Sequence, residues 1–251
     1  KGAEEEAPKQ EEKADAKNGK KETALDQFCV NLNEKALAGK LDAAEKKLPA
    51  LTKKLETGGI PKDKVAETAQ MALKLLVEEE CSEDDAVKMA KDASDFRGEK
   101  MDEHDAMMSS RVKASLEKSG LAPEHAKSIG RNVRASGSAN AEDAKALAQS
   151  MKGVSKGAID ALNASDIHSE CCRGPITDAM PSLAGVQPRG WPDESTWDQV
   201  VGVYNPSSKS LVVGTIEKDG KRKVPEAGEG PNPHGSTDLF GHEAGHAFDD
   251  A

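Results

Sequence analysis

The chain has 251 residues, of which 36% are hydrophobic, only 3% aromatic and 32% charged, and its formal net charge is −10. This acidic balance argues against nucleic acid as the main partner, because phosphate binding needs a basic face. No apolar stretch approaches the ~18 residues that span a bilayer and no signal-peptide pattern is visible, so we expect no membrane partner.

The chain begins with a charged segment. Residues 1–22 are mostly Glu, Lys, Ala and Asp, with charges of both signs and hardly any apolar residue. Such a segment has no face to bury, so it predicts a disordered tail.

Residues 24–42 follow, with Leu25, Phe28 and Leu32 at helical spacing. This pattern predicts an amphipathic helix that ends near Gly39. The stretch resembles the segment that precedes the first ATPase module of Clp-type AAA+ proteins. Because the chain has no G-x-x-x-x-G-K-[ST] phosphate loop, the resemblance does not imply ATPase activity.

The four cysteines do not form a disulfide framework in a chain this long. Cys29 and Cys81 are isolated, and no second Cys/His pair stands at zinc-finger spacing from Cys171 and Cys172. The pattern favours free thiols in a reducing compartment.

Residues 23–165 are predicted to be a helical region that serves in targeting or partner binding. Their Ala, Lys, Glu, Met and Leu content is typical of helices. Four helix starts share an apolar or small residue, then a cap or Pro, then an acid; they lie at 60–63, 81–84, 121–124 and 139–142. Their irregular spacing favours convergent capping over a helical-hairpin repeat. Methionines such as Met71, Met107 and Met108 belong to apolar stripes on the predicted helices. We interpret these stripes as part of the core and not as a binding groove.

After residue 165 the composition changes, since Gly, Pro and both Trp appear, and we place a domain boundary there. Apolar runs predict strands at 200–204 and 211–216, and the turn signal Asp219-Gly220 predicts a third strand at 221–224. A polar loop then leads to a last helix, with Ser236 or Thr237 as its expected cap. The predicted fold is a mainly α N-terminal region followed by a small α+β domain over 166–251, in which a short β-meander precedes that helix.

The last helix carries the chemistry. His242, Glu243 and His246 form H-E-x-x-H, in which histidines four residues apart share one helix face and can hold one zinc ion. Glu243 lies one step round the same turn, where it can act as general base. The alternative is a surface helix with two unconnected histidines.

The residues H-E-x-G-H-A-x-D resemble the zincin-like metallopeptidase domain typified by anthrax toxin lethal factor. Gly245 and Asp249 match the flanking positions, and the Gly, Trp and Tyr residues between 190 and 204 are similar to the strand entry of that domain. The resemblance implies zinc held by His242 and His246, Glu243 as catalytic base, and a protein or peptide substrate. It also implies a bacterial effector or toxin, made in the cytoplasm and delivered outside the cell or into a target cell.

In that family a third zinc ligand, a glutamate, comes from a second helix further downstream, whereas this chain ends at Ala251. The metzincin pattern fails as well, because its third histidine is missing. We therefore expect the domain to be incomplete at its C-terminus, or the chain to be a fragment. Possible substitutes are His234, Asp238 and Asp249, of which Asp249 is better suited to hold an imidazole by a hydrogen bond.

The sequence supports two alternative functions. The first is a zinc metallopeptidase that hydrolyses peptide bonds in a protein. The alternative is a non-catalytic helical interaction protein that carries a truncated or degenerate peptidase domain.

Overall fold

The computed structural model describes residues 39–40, 42–192, 194–229 and 235–250. The predicted tail, Cys29 and nearly all of the Clp-like stretch lie outside these residues, whereas 39–40 and 42–45 are helical. No helix in the described ranges combines the length and the apolar character needed to cross a bilayer.

Most of the described chain up to residue 164 is helical, and a further helix lies at its C-terminal end. The helices are α1 (Leu48–Thr57), α2 (Lys62–Glu78), α3 (Glu83–Gly98), α4 (Glu103–Lys118), α5 (Pro123–Asn132), α6 (Ala141–Ser150), α7 (Lys156–Ala164) and α8 (Leu239–Asp250).

The predicted helix starts are confirmed, and side-chain caps explain several of them. Ser82 accepts a hydrogen bond from the backbone N–H of Asp85 at 3.1 Å and so caps α3. Asn140 and Asp143 form a reciprocal capping box at the start of α6, and Pro123 occupies the first position of α5. These devices satisfy N–H groups that have no partner inside the helix. The Met stripes are buried, as predicted, at Met71, Met107 and Met108.

Within the described residues, five strands form a mixed sheet. They are β1 (Val133–Ala135), β2 (His168–Arg173), β3 (Gly202–Asn205), β4 (Ser210–Lys218) and β5 (Lys221–Lys223). The order is β1-β2-β4-β3, with β5 paired to the far end of β4. Both β1–β2 and β2–β4 pair in parallel, whereas β3–β4 and β4–β5 are antiparallel.

The predicted meander is confirmed as β3, β4 and β5, but the sheet is larger than predicted. Strand β1 lies inside the region predicted to be helical, and β2 was not predicted. Strand β1 has three residues, and β2 pairs with strands on either side that are distant in sequence. Parallel pairing of this kind leaves no local turn signal, so periodicity alone could not find it.

Two apolar cores meet within α4. Ala106 and Met107 belong to a core built from residues 44–107, whereas Met108, Val112 and Leu116 belong to the core that covers one face of the sheet. The second core includes residues from α5 to α8, so it draws on both sides of the predicted boundary at 165/166. The functional division of the chain at that boundary stays a prediction.

A buried carboxylate joins four elements at one end of the sheet. Asp143 of α6 is fully buried and contacts Arg173 of β2 at 2.7 Å and Arg222 of β5 at 3.2 Å. It also accepts hydrogen bonds from Thr215 Oγ1 of β4 at 2.5 Å and from the Asn140 N–H at 2.9 Å. Burial alone would raise the pKa of Asp143, but the hydrogen bonds from Thr215 and Arg173 outweigh it, so the pKa is lowered.

Candidate metal centre and cleft

The motif helix α8 begins at a cap that differs from the prediction. Asp238, and neither Ser236 nor Thr237, accepts a hydrogen bond from the Gly241 N–H, at 2.9 Å. Ser236 instead supports the cap, since its Oγ accepts from the Asp238 N–H at 3.2 Å. An Asp here also places a negative charge at the positive end of the helix.

Helix α8 packs one apolar side on the sheet and turns its histidines outward. Leu239, Phe240, Ala244 and Ala247 lie in the core beneath it, where α8 contacts β3 and β4. This burial is the reason why the helix has a fixed rotation, which in turn sets where its polar residues point.

The two motif histidines lie side by side on the exposed face. The ring centroids of His242 and His246 are 4.9 Å apart, and the two rings are nearly perpendicular at 87°. Both side chains are exposed. The structure therefore brings together the two imidazoles that the sequence predicts as metal ligands.

Glu243 lies between the helix and strand β3. It is 7% exposed. An ideal Cβ placed on Gly202 would stand 3.0 Å from Glu243 Oε1 and 2.7 Å from Leu239 Cδ1. The carboxylate thus rests against the backbone of β3, and the absence of a side chain at Gly202 allows α8 to approach this closely.

We expect Gly202→Ala to destabilise the protein by about 1–3 kcal/mol, because a methyl group in this space forces Leu239 and Glu243 to move. The matched control is Gly245→Ala on α8, where an added Cβ meets no heavy atom within 4 Å. That change should be neutral or stabilise by up to about 1 kcal/mol, since Ala is the better helix former. Urea unfolding of both variants measures the difference, and equal stability of the two would contradict the close approach at Gly202.

An open cleft of about 650 Å³ runs beside Glu243. Four of its lining residues are apolar, namely Trp191, Val200, Val201 and Leu239. The remaining described lining residues are Gln199, Gly202, Gly235, Ser236, His242 and Glu243. The cleft therefore brings apolar side chains together with one imidazole and the buried carboxylate.

Strand β3 is an edge strand with free backbone groups towards this side. The Gly214 N–H donates to the Val201 carbonyl at 2.6 Å, and Gly202 lies opposite Val213. Since hydrogen-bonded and non-hydrogen-bonded pairs alternate in an antiparallel ladder, the backbone groups of Gly202 and Tyr204 point away from β4. In the described part of the chain no strand pairs on that edge.

Tyr204 ties this edge strand to the end of α8. Its hydroxyl donates to Asp250 Oδ2 at 3.0 Å. Burial and the Asp250 carboxylate both raise the pKa of Tyr204, because each disfavours a phenolate. The motif helix is thus attached to β3 at both ends, by Leu239 near its start and by Asp250 at its end.

The segment before α8 is anchored by an ion cluster. Glu229 pairs with Lys218 and Lys223 and accepts a hydrogen bond from the Glu226 N–H at 3.0 Å. The hydrogen bonds from the two lysines lower the pKa of Glu229 to about 2. These contacts fix the chain at Glu229 to β4 and β5.

No third metal donor joins the histidines within the described ranges. There, no group of three or more His, Cys, Asp or Glu side chains is placed to hold an ion. Asp238 is used as the helix cap and Asp249 is exposed in the last turn, so neither completes the site. His234 lies outside the described residues.

Sequence reasoning located the histidines and Glu243 but missed Trp191 and Gly202 as parts of the site. A glycine inside an apolar strand pattern is a signal of close backbone approach, and it could have identified Gly202. No signal in the sequence places Trp191 in the cleft, because its loop position depends on contacts formed only in the fold.

No protein-family model and no curated protein sequence matches this chain. Among solved structures, the Pro-Pro endopeptidase PPEP-2 from Paenibacillus alvei is 28% identical, with a TM-score of 0.38. The match covers 49% of this chain and 61% of that chain, so this chain spans less than two thirds of the endopeptidase's length.

Proposed function

We propose that this protein is a zinc metallopeptidase that hydrolyses peptide bonds in a protein substrate. The observation that carries the proposal is the arrangement on α8, where two neighbouring imidazoles stand beside a buried carboxylate at a cleft. Each of the three residues has the type and the helical spacing that the chemistry needs.

The two histidines supply part of the ligand set of a zinc ion. Neutral imidazole nitrogens are common zinc ligands, and two rings 4.9 Å apart on one helix face can address one ion. His242 and His246 would hold it. When bound, zinc supplies Lewis-acid chemistry, in that it polarises a carbonyl and makes water more acidic.

Glu243 would move the proton. Its carboxylate can accept the proton of the attacking water and pass it to the leaving amine, as a general base and then a general acid. Its carboxylate lies against the backbone of β3, and the residue lines the cleft in which the substrate would bind.

Strand β3 would hold the substrate. The outward N–H and C=O groups of Gly202 and Tyr204 can pair with an extended peptide, which would then lie as an added strand along the cleft. Such pairing supplies affinity through the main chain of the peptide. The residues that line the cleft would then select among the side chains of the peptide.

The alternative function is a non-catalytic interaction protein, and one observation favours it. Only two donors meet in the described part of the chain, and zinc sites in peptidases use three protein ligands. The effector or toxin role, the delivered location and the partner-binding role of residues 23–165 stay predictions.

Zinc stoichiometry tests the proposal. Elemental analysis after dialysis should find about one zinc per chain, and His246→Ala should lose it because one of two helix ligands is gone. The control is His104→Ala, which removes an exposed histidine of α4. Equal zinc content in His246→Ala and His104→Ala, or no zinc in the unmodified chain, would overturn the proposed metal site for this chain.

A further inference from the structure

Trp191 is exposed in a way that is unusual for its type. It is 47% exposed and is one of three large apolar side chains that are exposed in the described ranges, with Val186 and Phe248. Tryptophan is highly buried on average, and its ring carries a large apolar surface. Of these three residues, Trp191 alone lines the cleft beside Glu243.

The backbone that carries the indole is fixed by hydrogen bonds within its own loop. Gln187 Nε2 donates to the backbone carbonyls of Trp191 at 2.9 Å and Pro192 at 3.1 Å. The backbone N–H of Trp191 donates to the Pro188 carbonyl at 3.2 Å. The Trp197 ring is a neighbour of the indole, at 6.3 Å between centroids with a tilt of 31°. The indole therefore has an aromatic neighbour and still exposes nearly half of its surface.

The surroundings of Trp191 are mainly apolar. Val200, Val201 and Leu239 also line the cleft, and Glu243 is the carboxylate among its described lining residues. A charged side chain placed against the apolar residues would lose hydration, and an acidic one would also be repelled by Glu243. An aromatic side chain loses nothing of this kind and gains a ring contact with the indole.

We propose that Trp191 forms a side-chain subsite of the cleft, and that it takes an aromatic residue of an extended peptide bound along β3. The inference rests on the proposed peptidase function, because it names the class of substrate that this site would bind. Peptide binding to the subsite can be measured without peptide hydrolysis.

The test uses capped, fluorescein-labelled nonapeptide pools, random in Ala, Gly, Ser and Thr, with one fixed central residue: Phe, Ala, Lys or Glu. Fluorescence anisotropy with the full chain measures the Kd of each pool, and mass spectrometry measures cleavage separately. We expect the Phe pool to bind about tenfold more tightly than the others, the range that one aromatic contact supplies. Trp191→Ala should remove this advantage, whereas Trp191→Phe should keep most of it. Val186→Ala is the matched control, because Val186 is equally exposed in the same loop but does not line the cleft.

Equal binding of the four pools, a preference for Lys or Glu, no binding, or a Phe advantage that survives in Trp191→Ala would each overturn the inference. The two proposals fail separately. If the Phe preference depends on Trp191 but no pool is cut, the subsite stands and the peptidase function fails. If peptides are cut without regard to the central residue, the peptidase function stands and the subsite fails.

Discussion

Glu243→Gln should lower the rate of peptide hydrolysis by at least about a hundredfold, because general acid–base catalysis contributes 10²–10⁴-fold. Glutamine has the shape of glutamate but cannot accept the proton of water. The fold and the zinc content should stay unchanged, since the metal donors are His242 and His246. Rates measured on a peptide pool, beside zinc analysis of the same samples, check the result.

The matched control is Glu217→Gln, which makes the same chemical change at an exposed position of β4 outside the cleft. It should retain nearly all activity. If Glu243→Gln and Glu217→Gln hydrolyse peptides at the same rate, Glu243 is not the base. If Glu243→Gln loses zinc together with activity, its role is structural and the proton-transfer step is wrong.

Asp143→Ala should destabilise the protein by about 3–5 kcal/mol, the range for removing one partner of a buried ion pair. The loss leaves Arg173 and Arg222 facing each other without their shared carboxylate, and it removes the acceptor of the Thr215 hydroxyl. Because this carboxylate connects α6 to three strands, the whole sheet should lose stability together. Urea unfolding measures the change in the free energy of unfolding.

Asp84→Ala is the control, because Asp84 is exposed and pairs with Lys54 at 2.9 Å on the helix surface. Exposed pairs contribute about 0–1 kcal/mol, so this change should be small. A similar loss in both variants would contradict a special role of the buried carboxylate.

The contribution of Asp143 should also depend on pH in a defined direction. Its pKa is lowered in the folded state, whereas an unfolded aspartate titrates near about 3.9. The stabilisation is therefore fully present above about pH 4 to 5 and is lost as the pH falls through the lower, folded pKa. The stability difference between the unmodified chain and Asp143→Asn should shrink over that acid range.

The parts of the fold that the sequence predicts are those with local causes. Caps at Ser82 and Asn140 begin helices, the Asp219-Gly220 turn joins β4 to β5, and the apolar run of β4 forms a buried strand. Each of these depends on residues within a few positions of one another. The parallel strands β1 and β2 depend instead on partners far along the chain, so no local pattern predicts them.

The candidate site divides in the same way. His242, Glu243 and His246 lie within two turns of one helix, so their spacing alone predicts that they meet. The contact of Glu243 with Gly202 and the opening beside Trp191 depend on how α8 crosses β3 and how the 187–197 loop closes. No single segment of the sequence predicts tertiary packing of that kind.

The position of helix α4 between two apolar cores affects how the protein unfolds. It contributes side chains to both apolar cores, and Arg111 on it, only 8% exposed, pairs at 3.0 Å with Glu79, the residue that follows α2. A segment that two cores share can unfold only when both release it. The amide protons of α4 should therefore exchange with solvent more slowly than those of α1, which touches one core only. A polypeptide starting at residue 166 would lack α1 to α7, and the part of the sheet core that α4 to α7 cover would be open to water.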